Sequence, residues 1–533
     1  MGRSKDTMST ADIEEATELD TKHDLAQSET RTTQEELSFS VQTYHDERQL
    51  TLLTALKLYP KSVFWSAFFS MGVITTAFYT QLLGSLFATP AFQRDFGYLF
   101  EGSWIVSAPW QIALWMGNSI GQVIGALAAG YPMEWWGRKP TFIGCAILTA
   151  ALIFFQFFAK TLPVLLVGEL LGGLVIGIYT TLAPTYASEV CPLALRGHLT
   201  AFINLCFVTG QLLANGVVAG TSRLSNHWAY SAPFALQWLW PVLILVGSVW
   251  APESPWWYVR QGRLDDAEKA LKRLSSRAVD CRGILEIMVE TDRLEVEMET
   301  GVGYLDCFRH VNLRRTEISI GVFATQVLSG SYMIGYTSLW FQLAGLTGSE
   351  AFDMSVGVLA VGFVGTCLSW FAISKYGRRR IYNIGLFLLM VIMFLIGLLD
   401  FAPDYENRTG VIWAQCTLLI LWNGIFDISI GPVCYVYICE VSATKVRSKT
   451  IAVATAVQAL AGVIMTVAIP YMINPDQANL RGKMGLFFGG LSIVCLVWAY
   501  YRIPETKGRT YKELDLMFQE NVPTRKFKKY KFR

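Results

Sequence analysis

Charged residues are scarce in this sequence. Asp, Glu, Lys and Arg make up 16% of its 533 residues and leave a net charge of +2, whereas about 25% is usual in a soluble domain. Neither an acidic nor a basic surplus is present, so the charge does not indicate a nucleic-acid partner. This low charge content fits a protein whose surface mostly faces lipid.

Signatures of catalysis and of metal binding are missing as well. The five histidines are scattered, and the ten cysteines show neither metal-ligand spacing nor a disulfide framework. Most of the cysteines lie inside apolar segments, where we interpret them as small packing residues. The sequence contains no phosphate-binding glycine loop and no nucleophile–base pair. We therefore predict no enzymatic activity, no cofactor and no bound metal.

Apolar residues are abundant: they form 53% of the chain, and the mean hydropathy is +0.37. Twelve apolar segments approach the roughly 20 residues that cross a bilayer. They are 63–86, 108–131, 141–160, 163–184, 199–220, 231–250, 317–340, 354–374, 381–401, 411–437, 451–473 and 483–502. Backbone groups in lipid must be satisfied within their own segment, so each segment should be a helix. The prediction is an all-α membrane protein with twelve transmembrane helices in two six-helix bundles.

Short motifs occur twice, once in each half of the chain. GYPMEWWGRK (130–139) and YASEVCPLALRG (186–197) are echoed by SKYGRRR (374–380) and CEVSATKVRSK (439–449), and APESPWW (251–257) by IPETKGR (503–509). A membrane protein with two like halves usually binds its substrate between them. This repetition indicates a transporter.

The polar segments complete the predicted organisation. Residues 1–60 should be a disordered N-terminal tail, 61–250 the first bundle, and 251–316 a linker with short amphipathic helices. Residues 317–502 should form the second bundle and 503–533 a basic C-terminal tail. No secretory signal opens the chain, so the first apolar segment would act as the targeting signal.

The basic residues predict the orientation. The short loops on the linker side hold Arg138, Lys139, Arg196, Lys375, Arg378, Arg379, Arg380, Lys445, Arg447 and Lys449, whereas the opposite loops hold few basic residues. The basic loops are cytoplasmic if both termini are cytoplasmic, as the positive-inside rule requires. The opposite loops carry several acidic residues and the sequon Asn407-Arg408-Thr409, a candidate glycosylation site.

Taken together, the motifs resemble a known family. The GxxxExxGRK pattern at 130–139, the PESPWW and PETKGR strings and the doubled Glu-x6-Arg resemble the sugar-porter family of the major facilitator superfamily. More narrowly, YASEVCPLALRG, PFALQW (233–238) and APESPWW resemble fungal α-glucoside (maltose-type) permeases. The resemblance covers residues from about 60 to about 525. It implies a cell-membrane transporter of sugars, such as maltose, that works by alternating access, and we expect a monomer.

Charged residues at the cytoplasmic ends of the spans are candidate gating groups. They are Glu134, Arg138, Glu189 and Arg196 in the first half, and Arg378, Glu440 and Arg447 in the second. Opposite charges at a partly desolvated boundary should pair and latch the inner gate. The alternative is that the basic residues only fix topology. Ser374 stands where the first half has Glu134, so the second latch should be weaker.

The resemblance also implies a sugar site. Asn204, Gln211 and Gln326 match sugar-contacting positions of the family, and Tyr435 stands where many sugar porters carry a tryptophan. Amides both donate and accept hydrogen bonds, which suits neutral polyols. The alternative is that these amides join helices within the bundle. Val327 and Tyr332 depart from the family pattern, so the pocket should differ from that of a hexose carrier.

Proton coupling is in doubt because the first span lacks acids. Proton-coupled α-glucoside permeases carry an EGYD string there, and the matching residues 76–79 are Thr-Ala-Phe-Tyr. We therefore predict weak or absent coupling. Glu169 and Asp427 remain inside the membrane, and an ionisable group at that depth is a candidate proton site, although each could equally sit neutral. A transporter of a fungal metabolite and a non-transporting sugar receptor remain alternative functions.

Overall fold

The computed structural model describes residues 52–191, 193–276, 279–299, 304–403, 409–443, 446–509 and 511–530. Asn407 and most of the predicted N-terminal tail lie outside these residues. Within them, twelve helices are long and apolar enough to cross a membrane. Spans 1 to 12 are Pro60–Leu86, Ala108–Trp135, Arg138–Phe157, Leu162–Val190, Phe202–Thr221, Trp228–Ser248, Val311–Leu343, Gly348–Lys375, Arg378–Leu399, Thr409–Val441, Lys449–Ile473 and Arg481–Arg502. Each overlaps one of the predicted segments, which confirms the twelve-helix fold.

Shorter elements connect and flank the spans. A helix at Leu52–Leu58 occupies part of the tail that the sequence predicts to be irregular. Between spans 1 and 2 lie the helix Pro90–Phe96 and an antiparallel hairpin of Tyr98–Phe100 and Ser103–Ile105. The linker forms the helices Pro255–Arg260, Leu264–Leu274 and Cys281–Glu299, and the C-terminal segment forms Tyr511–Gln519. The short linker helices match the prediction from its amphipathic pattern.

Local sequence explains where several spans start and break. A proline lies in the first turn of spans 1, 2 and 4, where its missing N–H costs no helical hydrogen bond. Span 7 breaks at Gly330, whose φ of +110° favours glycine, and continues as a 3-10 turn over Ser331–Tyr336 and a helix over Thr337–Leu343. Span 10 breaks at Ser429, between Thr409–Ile428 and Ile430–Val441.

Spans 2 and 4 pack in direct backbone contact. A Cβ added at Gly121 or Gly125 would lie 2.1 or 1.8 Å from carbonyl oxygens of span 4, and one added at Gly173 would lie 2.3 Å from a carbonyl of span 2. Close approach through small residues is how membrane helices gain van der Waals contact without a hydrophobic driving force. This packing fixes span 4 within the first bundle.

The two ends of the molecule differ. We call the end from which the linker departs the linker end, and the opposite one, with residues 87–107, the far end. At the far end spans 1 and 7 meet so closely that a Cβ on Gly84 would lie 2.0 Å from the carbonyl oxygen of Gly335. The Nε2 atom of Gln111 also donates to Asn474 Oδ1 at 3.1 Å, and Gln342 Nε2 donates to Ala88 O at 2.8 Å. The bundles are therefore closed against each other at the far end.

Candidate functional site

A chain of polar side chains joins the two bundles, and it starts at one predicted sugar contact, the part-buried Gln211. Gln211 Nε2 donates to Gln81 Oε1 at 3.4 Å, and Gln81 Nε2 donates to Asn215 Oδ1 at 3.1 Å. Asn215 Nδ2 then donates to Ser355 Oγ of span 8 at 2.9 Å. We call Gln211, Gln81, Asn215 and Ser355 the polar chain.

Sequence reasoning identified only Gln211 of these residues. Asn215 lies one helical turn further along span 5, and that i, i+4 spacing was the available signal. Its partners come from other spans, so only the fold brings them together. In the second bundle Ser355 Oγ also lies within hydrogen-bond distance of the Thr337 and Ser338 hydroxyls, at 3.0 and 2.8 Å.

The predicted residues of the second bundle form their own cluster. Gln326 Nε2 donates to the Gly431 carbonyl at 3.0 Å, and Gln326 Oε1 accepts from Gln458 Nε2 at 2.7 Å. Tyr435 lies one turn beyond Gly431 on span 10, is about half exposed, and packs edge-on against Phe323 with ring centroids 5.6 Å apart. Gln326 and Tyr435 are thus neighbours, and sequence reasoning missed Gln458.

Asn204 differs from the two glutamines. Its Nδ2 atom is buried and has no hydrogen-bond partner among the described residues. A buried donor without a partner costs about 1–3 kcal/mol. Gln211 and Gln326 instead bond to other helices, which is the helix-joining arrangement that the sequence left open.

Glu169 lies in a buried polar cluster of the first bundle and is 1% exposed. Gln156 Nε2 donates to one carboxylate oxygen at 2.7 Å and Asn118 Nδ2 to the other at 3.2 Å. The Tyr79 hydroxyl lies beside the carboxylate and donates to the Gly168 carbonyl at 3.0 Å. The Tyr79 hydroxyl of span 1 therefore adjoins the carboxylate that span 4 supplies.

Asp427 has a sparser environment in the second bundle. Asn423 Nδ2 donates to Asp427 Oδ2 at 3.3 Å, and a Cβ on Gly362 would lie 2.4 Å from that oxygen. Within the described part of the chain, neither Asp427 nor Glu169 forms an ion pair with a basic side chain. Each charged form would therefore depend on neutral donors alone.

The predicted charge cluster of the first half forms at the linker end. Arg138 Nη2 lies 2.6 Å from Glu189 Oε1, and both side chains are buried. Ser254 Oγ donates to the other Glu189 oxygen at 2.6 Å. Glu134 does not join this cluster: it lies in the helix Gly130–Trp135 at the end of span 2, and its side chain is exposed. We call Arg138, Glu189, Glu253 and Ser254 the first charge cluster.

A carboxylate that sequence reasoning passed over completes this cluster. Glu253, from the repeated Pro-Glu string, accepts the backbone N–H groups of Arg138 at 2.9 Å and Lys139 at 3.1 Å, and so caps span 3. Burial raises the pKa of the Glu253 carboxyl, while the N–H donors and the nearby Arg138 oppose that rise. The repetition of the string in the second half was the signal that could have identified it.

The second half repeats the arrangement. Arg378 Nη2 lies 3.2 Å from Glu440 Oε1, and Glu505 accepts the backbone N–H of Arg378 at 2.9 Å. We call Arg378, Glu440, Glu505 and Thr506 the second charge cluster. Each pair joins helices of a single bundle. The side chains of Arg196 and Arg447 lie outside the described residues.

The chain matches known proteins along most of its length. The profile of the family described as "Sugar (and other) transporter" matches residues 13–518. The chain belongs to this family. A general alpha-glucoside permease of Saccharomyces cerevisiae is 36% identical over 493 residues, which cover 90% of this chain and 79% of that protein. The maltose permease MAL31 of the same yeast is 34% identical over 495 residues, covering 91% and 80%.

Solved structures show the same fold. The xylose transporter XylE from E. coli, in an inward-open conformation, superposes with a TM-score of 0.67 at 21% identity and covers 85% of this chain and 98% of its own. A D-xylose-proton symporter gives a TM-score of 0.63 at 20% identity, covering 84% and 98%. These findings confirm the predicted family and the major facilitator fold. The curated relatives are permeases, in agreement with the prediction that the chain is not an enzyme.

Proposed function

We propose that this sugar transporter carries α-glucosides such as maltose across the cell membrane by alternating access. The observation that carries the proposal is the similarity, over about nine-tenths of the chain, to permeases named for α-glucosides and maltose. The basic residues at the linker end favour a cytoplasmic linker end with both termini inside. We further propose that the transporter works as a monomer and that Asn407 is its glycosylation site.

The sugar would bind between the amides of spans 5 and 7 and the aromatic face of span 10. Asn204 offers a buried donor that a sugar hydroxyl can satisfy. Gln211 and Gln326 would exchange bonds to other helices for bonds to the sugar. Tyr435, half exposed beside Phe323, offers a ring against which a sugar can pack.

Alternating access requires the far end to open. The polar chain and the contact of Gly84 with Gly335 would separate as the bundles rotate. The two charge clusters would keep the linker end of each bundle rigid, and Arg196 and Arg447 are further gating candidates there. The far end would then open and close by rotation of two rigid bundles relative to each other.

We infer that Glu169 is the proton-binding group if uptake is concentrative, with Asp427 as the second candidate. Two amides donate to the two Glu169 oxygens, an arrangement that suits the ionised form. That form has no cationic partner in the described cluster and lies in an apolar bundle, so its charge is costly. The amide donors favour the charged carboxylate and the apolar surroundings oppose it, so Glu169 can change protonation as the bundle moves. It lies beside Tyr79, one of the span-1 residues that replace the expected acids.

Sugar uptake in yeast cells without their own sugar permeases tests the function. Cells expressing the chain should take up labelled maltose, and unlabelled α-glucosides should compete more strongly than glucose. Absence of maltose uptake at normal surface abundance would contradict the α-glucoside assignment. Uptake of other solutes in the same cells would then favour a metabolite carrier.

The same cells test coupling through Glu169. If protons couple through Glu169, the native chain accumulates maltose above the external concentration and loses this accumulation when an uncoupler is added. The weak coupling predicted from span 1 instead leaves the internal and external concentrations equal. Glu169→Gln should retain downhill uptake but reach only equal concentrations inside and outside. Asp427→Asn tests the second candidate in the same way, and accumulation lost in that variant alone would assign the proton to Asp427. A native chain that never exceeds equal concentrations would show facilitated diffusion and remove the role of Glu169.

A further inference from the structure

A basic cleft at the linker end has no part in sugar transport as described above. It measures about 550 Å³ and lies between the start of span 7, the end of span 12 and the C-terminal segment. Its lining is Arg314, Tyr501, Arg502, Pro523, Thr524, Arg525 and Lys526. Its volume is within the range of small-ligand sites, about 300–1,000 Å³.

The C-terminal segment is held in place by buried side chains. Phe518 and Phe527 are fully buried against the second bundle, with ring centroids 5.2 Å apart. Arg314 donates from Nη1 to the Val522 carbonyl at 3.0 Å and from Nη2 to Thr524 Oγ1 at 2.9 Å. The wall of the cleft that carries Arg525 is therefore a docked part of the fold.

The cleft has more positive charge than its surroundings neutralise. Glu317 pairs with Arg502. Arg314 hydrogen-bonds only neutral oxygens of the C-terminal segment. Within the described part of the chain, Arg525 and Lys526 form no ion pair, and both are exposed. Glu317, which pairs with Arg502, also acts electrostatically on Arg314. Four cations therefore face the opening with one carboxylate beside them.

Aromatic residues place this opening at the membrane surface. Tyr500 and Tyr501 end span 12, are 49% and 59% exposed, and lie under the guanidinium of Arg525 at 4.5 and 5.3 Å from the ring centroids. Tyrosine is typical of the boundary between lipid tails and headgroups. A cation held over these rings lies at headgroup level.

We propose that this cleft binds the phosphate-bearing headgroup of an anionic lipid of the cytoplasmic leaflet. Basic pockets beside transmembrane helices on that side suit polyanionic headgroups, and guanidinium groups bind phosphate with charge-assisted hydrogen bonds. A free phosphate compound shares this chemistry, but the exposed tyrosines at the end of span 12 favour a ligand presented by the bilayer. The proposal rests on the cytoplasmic orientation proposed above and not on the identity of the sugar.

Binding of short-chain lipids to the purified full chain tests the proposal independently of transport. A fluorescent dioctanoyl phosphatidylinositol bisphosphate should bind, and dioctanoyl phosphatidylcholine should not compete with it. Arg525→Gln with Lys526→Gln should weaken binding about thirtyfold, or about 1 kcal/mol for each cation removed. The matched control is Lys57→Gln with Lys61→Gln, which removes two exposed cations from the linker end of span 1 and should leave binding unchanged.

Three results would overturn the proposal. Absence of binding would remove the site, and equal weakening by both double variants would show diffuse surface charge instead. Soluble inositol trisphosphate binding as tightly as the lipid would assign the cleft to a soluble anion. Both substituted residues are exposed, so the variants should fold, and an unchanged elution profile in size-exclusion chromatography checks this.

Discussion

The two charge clusters share a motif but differ in how completely they are satisfied. In the first, Arg138 and Glu189 are 2.6 Å apart, with side chains 4% and 9% exposed. In the second, Arg378 and Glu440 are 3.2 Å apart and 17% and 22% exposed. The same motif has produced one short, buried ion pair and one longer, more exposed pair.

A single hydroxyl accounts for much of this difference. Ser254 donates to the second oxygen of Glu189. Among the described residues of the second half, the equivalent Thr506 hydroxyl is buried without a partner, and so is the second oxygen of Glu440. The sequence predicts a weaker second cluster because Ser374 replaces Glu134, but Glu134 is exposed and joins neither cluster. The asymmetry therefore arises at the residue that follows the repeated Pro-Glu string, Ser254 or Thr506. It does not arise at the position of Glu134.

Removing the arginine of each pair should give the largest difference in stability between the two clusters. Arg138→Met leaves the buried Glu189 with only the more exposed Arg260, whose Nη1 lies 3.7 Å from Glu189 Oε1. The loss should approach the about 3–5 kcal/mol of a broken buried pair. Arg378→Met should cost less, nearer the about 1 kcal/mol of an exposed pair. Thermal unfolding of the purified variants in detergent measures both. Equal shifts in the unfolding midpoint would show that burial does not distinguish the clusters.

Removing the hydroxyls should have a smaller effect with the same asymmetry. Ser254→Ala loses a hydrogen bond to a carboxylate, worth about 1.5–3 kcal/mol. Thr506→Ala removes a buried hydroxyl that has no partner, so it should be neutral or slightly stabilising. The same unfolding measurement checks both variants. A larger loss from Thr506→Ala would contradict the hydrogen-bond account of the asymmetry.

The smallest expected effect concerns pH. Burial raises the pKa of Glu253 in the folded protein, so folding takes up a proton above the ordinary glutamate pKa of about 4.3. Its contribution to the free energy of unfolding should therefore fall as the pH rises from that value through the folded pKa. Unfolding midpoints measured across this window should fall less in Glu253→Gln than in the native chain. Glu505→Gln controls for loss of a capping carboxylate, and an unchanged pH dependence in Glu253→Gln would contradict the assignment.

Much of the fold could be predicted from the sequence because lipid imposes simple constraints. A span needs about 20 apolar residues, and its backbone N–H and C=O groups must hydrogen-bond within the segment. Twelve apolar segments therefore predict twelve helices. The doubled motifs predict two similar bundles. Span ends were less predictable, since helices such as span 4 continue beyond the apolar segment to Val190. Opposite charges at the span ends predicted pairing there, and Arg138 and Glu189 pair, whereas Glu134 is exposed.

The candidate site could be predicted only in part. Gln211, Gln326 and Tyr435 came from the family resemblance, whereas their partners Gln81, Asn215 and Gln458 lie on other spans and depend on the packing of helices. No periodicity within one helix shows which side chains of another helix it meets.

The sequence by itself determined the number of spans, the twofold repetition and the membership of a sugar-transporter family, because these depend on composition and short motifs. Only the tertiary structure decided that Glu169 adjoins Tyr79, that Ser254 reaches Glu189 while Thr506 lacks a partner, and that the C-terminal segment docks to form a basic cleft. Each of these depends on side chains far apart in sequence. Their distances are fixed when helices pack, and hydrogen bonds and ion pairs change strength over a few tenths of an ångström.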